Sequence, residues 1–423
     1  MTESKVSEED KLHQLFTLAV ERFEAHDYTG AETVLEDLLS KAPGHPQILN
    51  YLAVTVHLRG DFVRARKLLK HAINVMPDFL EAWNNLGLLS LEHGSFKTAE
   101  DAFQKTCHLS PNTSTPFINL AHVLHADQRC NEAIEAYQKG LAIQPDHPTA
   151  WTALSRALLI EGRWKEAGSA ADRQIALRPG HTVALALKSV ALQELKEKKT
   201  WKKLVDFEQL IECFKIDVPQ GYADLHAFNN ALTDFCLKHP SLVYTPEGKS
   251  TELGFQTDSL TEETESPVAD LLQAIKKCTE LYLSKRSISL DHPFLSQRPS
   301  FWRHDIWATV LDSGGHQGSH IHRDGWLSGV YYVQTPTVIN SQESSCDTAG
   351  WIEFGRPVIY PKARAEPVTK RYPPSEGCLY LFPSYFYHRT IPFFSDSRRI
   401  SIAFDLIDGP IKRQARYIDY VDG

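Results

Sequence analysis

The segment His320-Ile321-His322-Arg323-Asp324 is followed about sixty residues later by His388 and then by Arg398-Arg399-Ile400-Ser401. A His-x-Asp pair, His322 with Asp324, joined by a distant histidine, His388, has the make-up of the two-histidine, one-carboxylate set. That set grips one side of a non-haem Fe(II) ion and leaves three positions open for O2 and a co-substrate. On an extended segment residues two apart point the same way, so His322 and Asp324 can hold an ion together. His320 shares their face and is the rival ligand. Three neutral imidazoles would need a further anion to balance the iron, so His320 is placed behind the ligands or at the substrate, with Arg323 and Trp326.

An ion held by two imidazoles and one carboxylate keeps positive charge and suits chelation of a 2-oxo acid. The far carboxylate of that acid needs a cation, and arginine offers a planar fork that binds it through two parallel bonds. On a strand here Ile400, Ile402 and Phe404 form one face, and Arg399, Ser401 and Ala403 the other. Arg399 and Ser401 are the co-substrate candidates. Arg398, on the opposite phase, is the alternative if the strand starts with a bulge. One of Tyr331 and Tyr332 must point inward, and Tyr332 is placed with Arg399 and Ser401.

These residues need a β scaffold. Strands are predicted over 305–311, 327–333, 351–354, 378–382, 386–391 and 400–406, with turns at Ser313-Gly314-Gly315, at 373–377 and at 395–397. Six short strands so punctuated suggest an antiparallel barrel or jelly roll. Before them, 201–286 has helix-like apolar spacing, interrupted by a polar stretch, 241–265, that reads as an extended loop.

The first half carries an internal repeat. Pro43, Pro77, Pro111, Pro145 and Pro179 are each 34 residues apart, and Ala31, Ala65, Ala99, Ala133 and Ala167 keep the same phase. This is the tetratricopeptide period, two antiparallel helices per repeat. Small residues recur where the helices cross closely, and Gly60, Gly94 and Gly162 mark the turn inside the pair. Such a solenoid exposes a groove suited to a peptide or partner protein.

Expected boundaries are 12–181 for five repeats, 182–200 for a capping helix and linker, and 201–423 for the second domain, with its β core at about 301–409. The fold class expected is α+β, an all-α solenoid followed by a double-stranded β-helix with flanking helices.

At 423 residues, with 42% hydrophobic and 23% charged residues, the chain can bury real cores. The charge of −8 without a basic block argues against nucleic acid. No apolar run spans a bilayer, and the start lacks a signal-peptide core, so no membrane and a cytoplasmic location are expected. Seven cysteines without Cys-x-x-Cys spacing fit reduced thiols. The oligomeric state has no sequence signature here.

The stretch from His320 through Leu327-Ser-Gly-Val-Tyr-Tyr-Val333, together with Pro374 to Ser384, His388 and Arg399-Ile-Ser-Ile-Ala-Phe404, resembles the 2-oxoglutarate- and Fe(II)-dependent oxygenases that often carry tetratricopeptide repeats. The likeness reaches back through Pro219-Gln-Gly-Tyr222 and Phe228-Asn229. Aspartyl β-hydroxylase is similar in layout, but its type lacks the acid ligand offered by Asp324. The resemblance implies a double-stranded β-helix with iron on His322, Asp324 and His388, and 2-oxoglutarate on Arg399. It also implies O2-dependent hydroxylation of a protein or peptide side chain recruited by the repeats. A small metabolite, or demethylation through a hydroxymethyl product, would use the same site. A non-catalytic repeat scaffold with a metal-binding or inert jelly roll is the competing expectation.

Overall fold

Two antiparallel helices per 34 residues build the first half of the chain. The computed structural model describes residues 8–409 apart from 264, 287, 288, 290 and 341–347. Cys346 and the end of the expected second domain therefore lie outside the described residues. The helices are α1 (Glu8–Glu24), α2 (Tyr28–Lys41), α3 (Pro46–Leu58), α4 (Phe62–Val75), α5 (Leu80–Glu92), α6 (Phe96–Leu109), α7 (Ser114–Ala126), α8 (Cys130–Ile143), α9 (Ala150–Ile160), α10 (Trp164–Leu177), α11 (Thr182–Glu194) and α12 (Lys198–Leu204). Ala31, Ala65, Ala99, Ala133 and Ala167 are all fully buried, because a larger side chain at these crossings would push paired helices apart. Trp83 and Trp151, two repeats apart, each donate the indole N–H to the carbonyl of the preceding turn's proline, Pro77 and Pro145, at 2.8 Å.

The turn between paired helices needs one residue in the left-handed region. That residue recurs at His26, Gly60, Gly94, Gln128, Gly162 and Lys196, with φ between 58° and 93°. Only three of the six are glycine. The sixth places α11 and α12 in phase as a further helix pair, where a single capping helix was expected.

The chain forms two compact units that divide between Ala157 and Leu158, inside α9, rather than near residue 200. The physical reason lies within the second unit, where α11 is wired to the β region. The Thr182 hydroxyl donates to Gly325 O at 2.8 Å, and the Glu194 carboxylate accepts from the backbone N–H groups of Arg364 and Ala365. The Tyr385 hydroxyl donates to Leu204 O at 2.5 Å.

After α12 come α13 (Phe207–Leu210), β1 (Glu212–Lys215), α14 (Leu225–Lys238), β2 (Val243–Tyr244), β3 (Thr251–Gln256) and α15 (Pro267–Ser284). The C-terminal part adds β4 (Trp302–Gln317), β5 (Gly325–Gln334), α16 (Thr337–Asn340), β6 (Ile352–Phe354), β7 (Lys370–Tyr372), β8 (Cys378–Pro383), β9 (His388–Thr390) and β10 (Arg399–Asp408). A seven-stranded antiparallel sheet has the order β1-β8-β5-β10-β4-β3-β2, and a small sheet the order β7-β6-β9. Phe354 and His388 of the small sheet pack on Phe382 of the large one, both with ring centroids 4.8 Å away, so the sheets face each other.

Two local expectations are corrected. Residues 251–256, expected inside a loop, form β3 against β4. Ser313-Gly314-Gly315 is no turn: β4 continues through it, and β3's partners jump from Leu311 to His316 across an irregularity where Gly314 has φ 80°. A bulge uses the same permissive residues as a turn, and the sequence signal is shared. Among the described residues no helix is long and apolar enough to cross a membrane.

Candidate functional site

Strand β10 supplies the floor of the site. Alternation points Arg399, Ser401, Ala403 and Asp405 to one face, while Ile400, Ile402, Phe404 and Leu406 fill the opposite core. Register then fixes their neighbours. Ser401 lies between Thr309 of β4 and Tyr332 of β5, Ala403 between Trp307 and Val330, and Asp405 between Asp305 and Ser328.

Above this floor three imidazoles converge. His320, just before β5, exchanges both backbone hydrogen bonds with His388 of β9, each 3.0 Å long. The side-chain donor atoms of His320, His322 and His388 all lie within 4.8 Å of one another. Each ring is oriented from behind by its Nδ1. That of His320 contacts Gly318 O at 2.7 Å, that of His388 contacts Phe386 O at 2.9 Å, and that of His322 contacts the Asp405 carboxylate at 2.5 Å. Carbonyl and carboxylate oxygens only accept, so each Nδ1 carries the proton and each Nε2 presents a bare lone pair. His320 Nε2 and His322 Nε2 are 3.3 Å apart. Two lone pairs so placed need a cation or a proton between them.

Burial favours the uncharged imidazole that a metal requires. It pushes His320 down to about 4, with His322 adding to the effect. It also holds His388 well below its ordinary value, helped by His320 and His322.

Asp324 is not in this group. The chain bends at Arg323 and Asp324, and both side chains are exposed, so the alternation that aligns His320 with His322 does not extend to Asp324. A carboxylate does stand one step back from the three imidazoles, behind His322, as Asp405. Its carboxylate accepts from His322 Nδ1 and from the Ser328 hydroxyl at 2.6 Å. Trp326 is committed elsewhere, stacked on Phe294 at 4.5 Å with its N–H donating to Phe294 O.

Arg399 lies deep in the same face, 2% exposed. Its guanidinium sits 5.0 Å from the centre of the Tyr332 ring and makes one long hydrogen bond, 3.5 Å, to Ser401 Oγ. No carboxylate among the described residues pairs with it. Its Nε, the Tyr332 hydroxyl and the Thr309 hydroxyl are all buried without a hydrogen-bond partner. Burial lowers the pKa of Arg399 and raises that of Tyr332, each partly offset by the other. A buried cation without a carboxylate partner, its Nε and the nearby Thr309 hydroxyl both unbonded, can receive an anion, since a buried polar group left unpaired costs free energy. Arg398, by contrast, is half exposed and pairs with Asp312 at 2.9 Å.

Asp405, Ser328 and Thr309 escaped the sequence reading. Asp405 had a signal, because the alternation that selects Arg399 and Ser401 reaches it four residues later.

Residues 305–405 match the family model described as "Putative 2OG-Fe(II) oxygenase". Residues 22–89 and 118–182 match models described as "Tetratricopeptide repeat". The chain thus joins tetratricopeptide repeats to a domain of that oxygenase family, the layout of the tetratricopeptide-containing 2OG oxygenases. No curated protein matches it. Among solved structures, MamA from Desulfovibrio magneticus RS-1 is 17% identical, covering 40% of this chain and 93% of its own, with a TM-score of 0.36. PilF from Pseudomonas aeruginosa is 17% identical, covering 46% and 89%, with a TM-score of 0.41. YrrB, titled a TPR protein with an unusual peptide-binding site, is 17% identical, covering 41% and 89%, with a TM-score of 0.37.

Proposed function

We propose that the C-terminal domain is an Fe(II)- and 2-oxoglutarate-dependent dioxygenase on a double-stranded β-helix, hydroxylating a protein or peptide side chain recruited by the repeats. The observation that carries this reading is Arg399, a fully buried guanidinium with no carboxylate partner among the described residues, its Nε and the nearby Thr309 hydroxyl unbonded and its charge facing Tyr332. It shares its strand face with the carboxylate that orients His322.

His320, His322 and His388 would hold Fe(II) through Nε2, and Asp405 would fix the tautomer of His322 and balance charge. Arg399, Ser401 and Tyr332 would hold the far carboxylate of 2-oxoglutarate. With Fe(II), 2-oxoglutarate and O2 bound, such a site couples decarboxylation of the 2-oxo acid to succinate with hydroxylation of a C–H bond. Trp307, whose ring lies 5.4 Å from that of His322, would wall the site on the β4 side.

Tetratricopeptide repeats generally mediate protein or peptide binding. A peptide substrate is further supported by amide pairs on the first helices of successive repeats. Asn85 donates to Asn50 at 2.9 Å and Asn119 to Asn84 at 3.0 Å. Each amide has donor and acceptor capacity beyond these bonds, the complement of an extended peptide backbone.

The test is anaerobic addition of Fe(II) and then 2-oxoglutarate to metal-free protein. A visible charge-transfer band is expected, lost in His322→Ala and, at the 2-oxoglutarate step, in Arg399→Ala. Folded, iron-loaded protein without a band would leave the repeat scaffold as the better account.

A further inference from the structure

A second group of metal-capable side chains lies in the repeats, far from residues 305–405 in sequence. His57 closes the last turn of α3, Glu92 is the last residue of α5, and His93 caps α5. Their donor atoms all lie within 4.8 Å of one another. His57 Nε2 is 2.8 Å from Glu92 Oε2, and the His57 side chain is only 9% exposed. The rings of His57 and His93 are 5.9 Å apart at 76°, a crossing that lets two imidazoles approach one centre from different sides. His93 is not free to swing away, because its ring packs on Phe62 with centroids 3.7 Å apart.

Three arguments favour an ion over a chance contact. The 34-residue phase places Phe23, Leu91, His125 and Leu159 where the second repeat has His57, so packing does not demand an imidazole there. At the position of Glu92 the other repeats have Glu24, Leu58, Ala126 and Ile160, and at that of His93 they have Ala25, Arg59, Asp127 and Glu161. The full set is assembled at this one junction. All three residues also sit at helix C-termini, where the exposed carbonyls and the helix dipole favour positive charge.

We propose that His57, Glu92 and His93 bind a divalent ion of the zinc class, tying the second repeat to the third. Two imidazole nitrogens and one carboxylate oxygen suit zinc or cobalt, whereas calcium and magnesium prefer oxygen alone. The imidazole proton that now bridges His57 and Glu92 leaves when the ion binds, and the fourth position stays open to water.

Cobalt(II) titration of the intact, chelator-stripped chain tests this, read as bound ion per chain and as visible absorption. Use of His322→Ala throughout separates the result from the oxygenase site, and folding is checked by circular dichroism. One ion per chain is expected, with affinity falling at least tenfold in His93→Ala and in Glu92→Gln. No bound ion in folded His322→Ala protein would overturn the proposal, as would binding indifferent to both further substitutions. His93 is exposed, so its removal leaves the helices intact.

Discussion

His320 and His388 exchange both backbone hydrogen bonds, and this short ladder holds their rings 4.3 Å apart. The pairing makes His320 part of the metal-capable group, while the bend at Arg323 and Asp324 takes Asp324 out of it. Replacing His320 by alanine should therefore weaken Fe(II) binding beyond the roughly 10- to 100-fold that loss of an outer partner causes. Asp324→Ala should change it less than about threefold, within what a surface substitution leaves. Equilibrium dialysis with Fe(II) under anaerobic conditions measures both. The reverse order would restore His322, Asp324 and His388 as the ligand set.

Asp405 orients His322 without belonging to the converging group. Asp405→Asn keeps the shape but removes the charge, and the amide can present its N–H to the ring and favour the wrong tautomer. Metal affinity should fall about 10- to 100-fold. Far-ultraviolet circular dichroism should be unchanged. An affinity within twofold of wild type would mean that the carboxylate plays no part in holding His322.

The repeats were legible because five registers share one 34-residue phase, and the strands because apolar runs were bounded by Gly, Pro and Ser. Four strands were not predicted. β1, β2 and β7 are only two to four residues long, and β3 is held by its pairing to β4 more than by its own composition. At the site, the Arg399 guanidinium lies 5.0 Å from the centre of the Tyr332 ring and 3.5 Å from Ser401 Oγ, although the pairing of β10 with β5 shifts register between Ile400 and Ser401. The place of Asp324 was not legible. Alternation assumes an extended chain, and the bend after His322 depends on how β5 begins at Gly325, where any Cβ would meet Ser384 Oγ at 2.5 Å.

The left-handed turn position carries glutamine at Gln128, with φ 62°, where three of the other helix pairs have Gly60, Gly94 and Gly162. A side chain there costs about 1 kcal/mol, partly offset because glycine loses more freedom on folding. Gln128→Gly should stabilise the protein by roughly 0.5 kcal/mol. Gly94→Ala, in the same place one repeat earlier, should destabilise it by about 1 kcal/mol. Chemical denaturation of both variants checks the signs, and a stability loss in Gln128→Gly would show that its side chain contributes more than the strained backbone costs.

Glu353 of β6 has a fully buried carboxylate that accepts from Arg356 at 2.7 Å, Arg371 at 2.8 Å and Arg389 at 2.7 Å. Register places Arg371 and Arg389 on either side of it, so this network ties together the sheet that carries His388. Burial raises the carboxyl's pKa, but the three arginines outweigh it, and the net shift is downward. A depressed folded value means that the stabilisation is complete above the ordinary carboxylate range and is lost only as pH falls through the lower, folded value. Glu353→Gln leaves three guanidinium groups around an amide and should cost about 3 kcal/mol, the range for breaking a buried pair from one side. Thermal melts at neutral pH should show the loss. The difference from wild type should shrink at pH values more acidic than the usual carboxylate range. A melting temperature unchanged at neutral pH would show that the arginines are satisfied without Glu353.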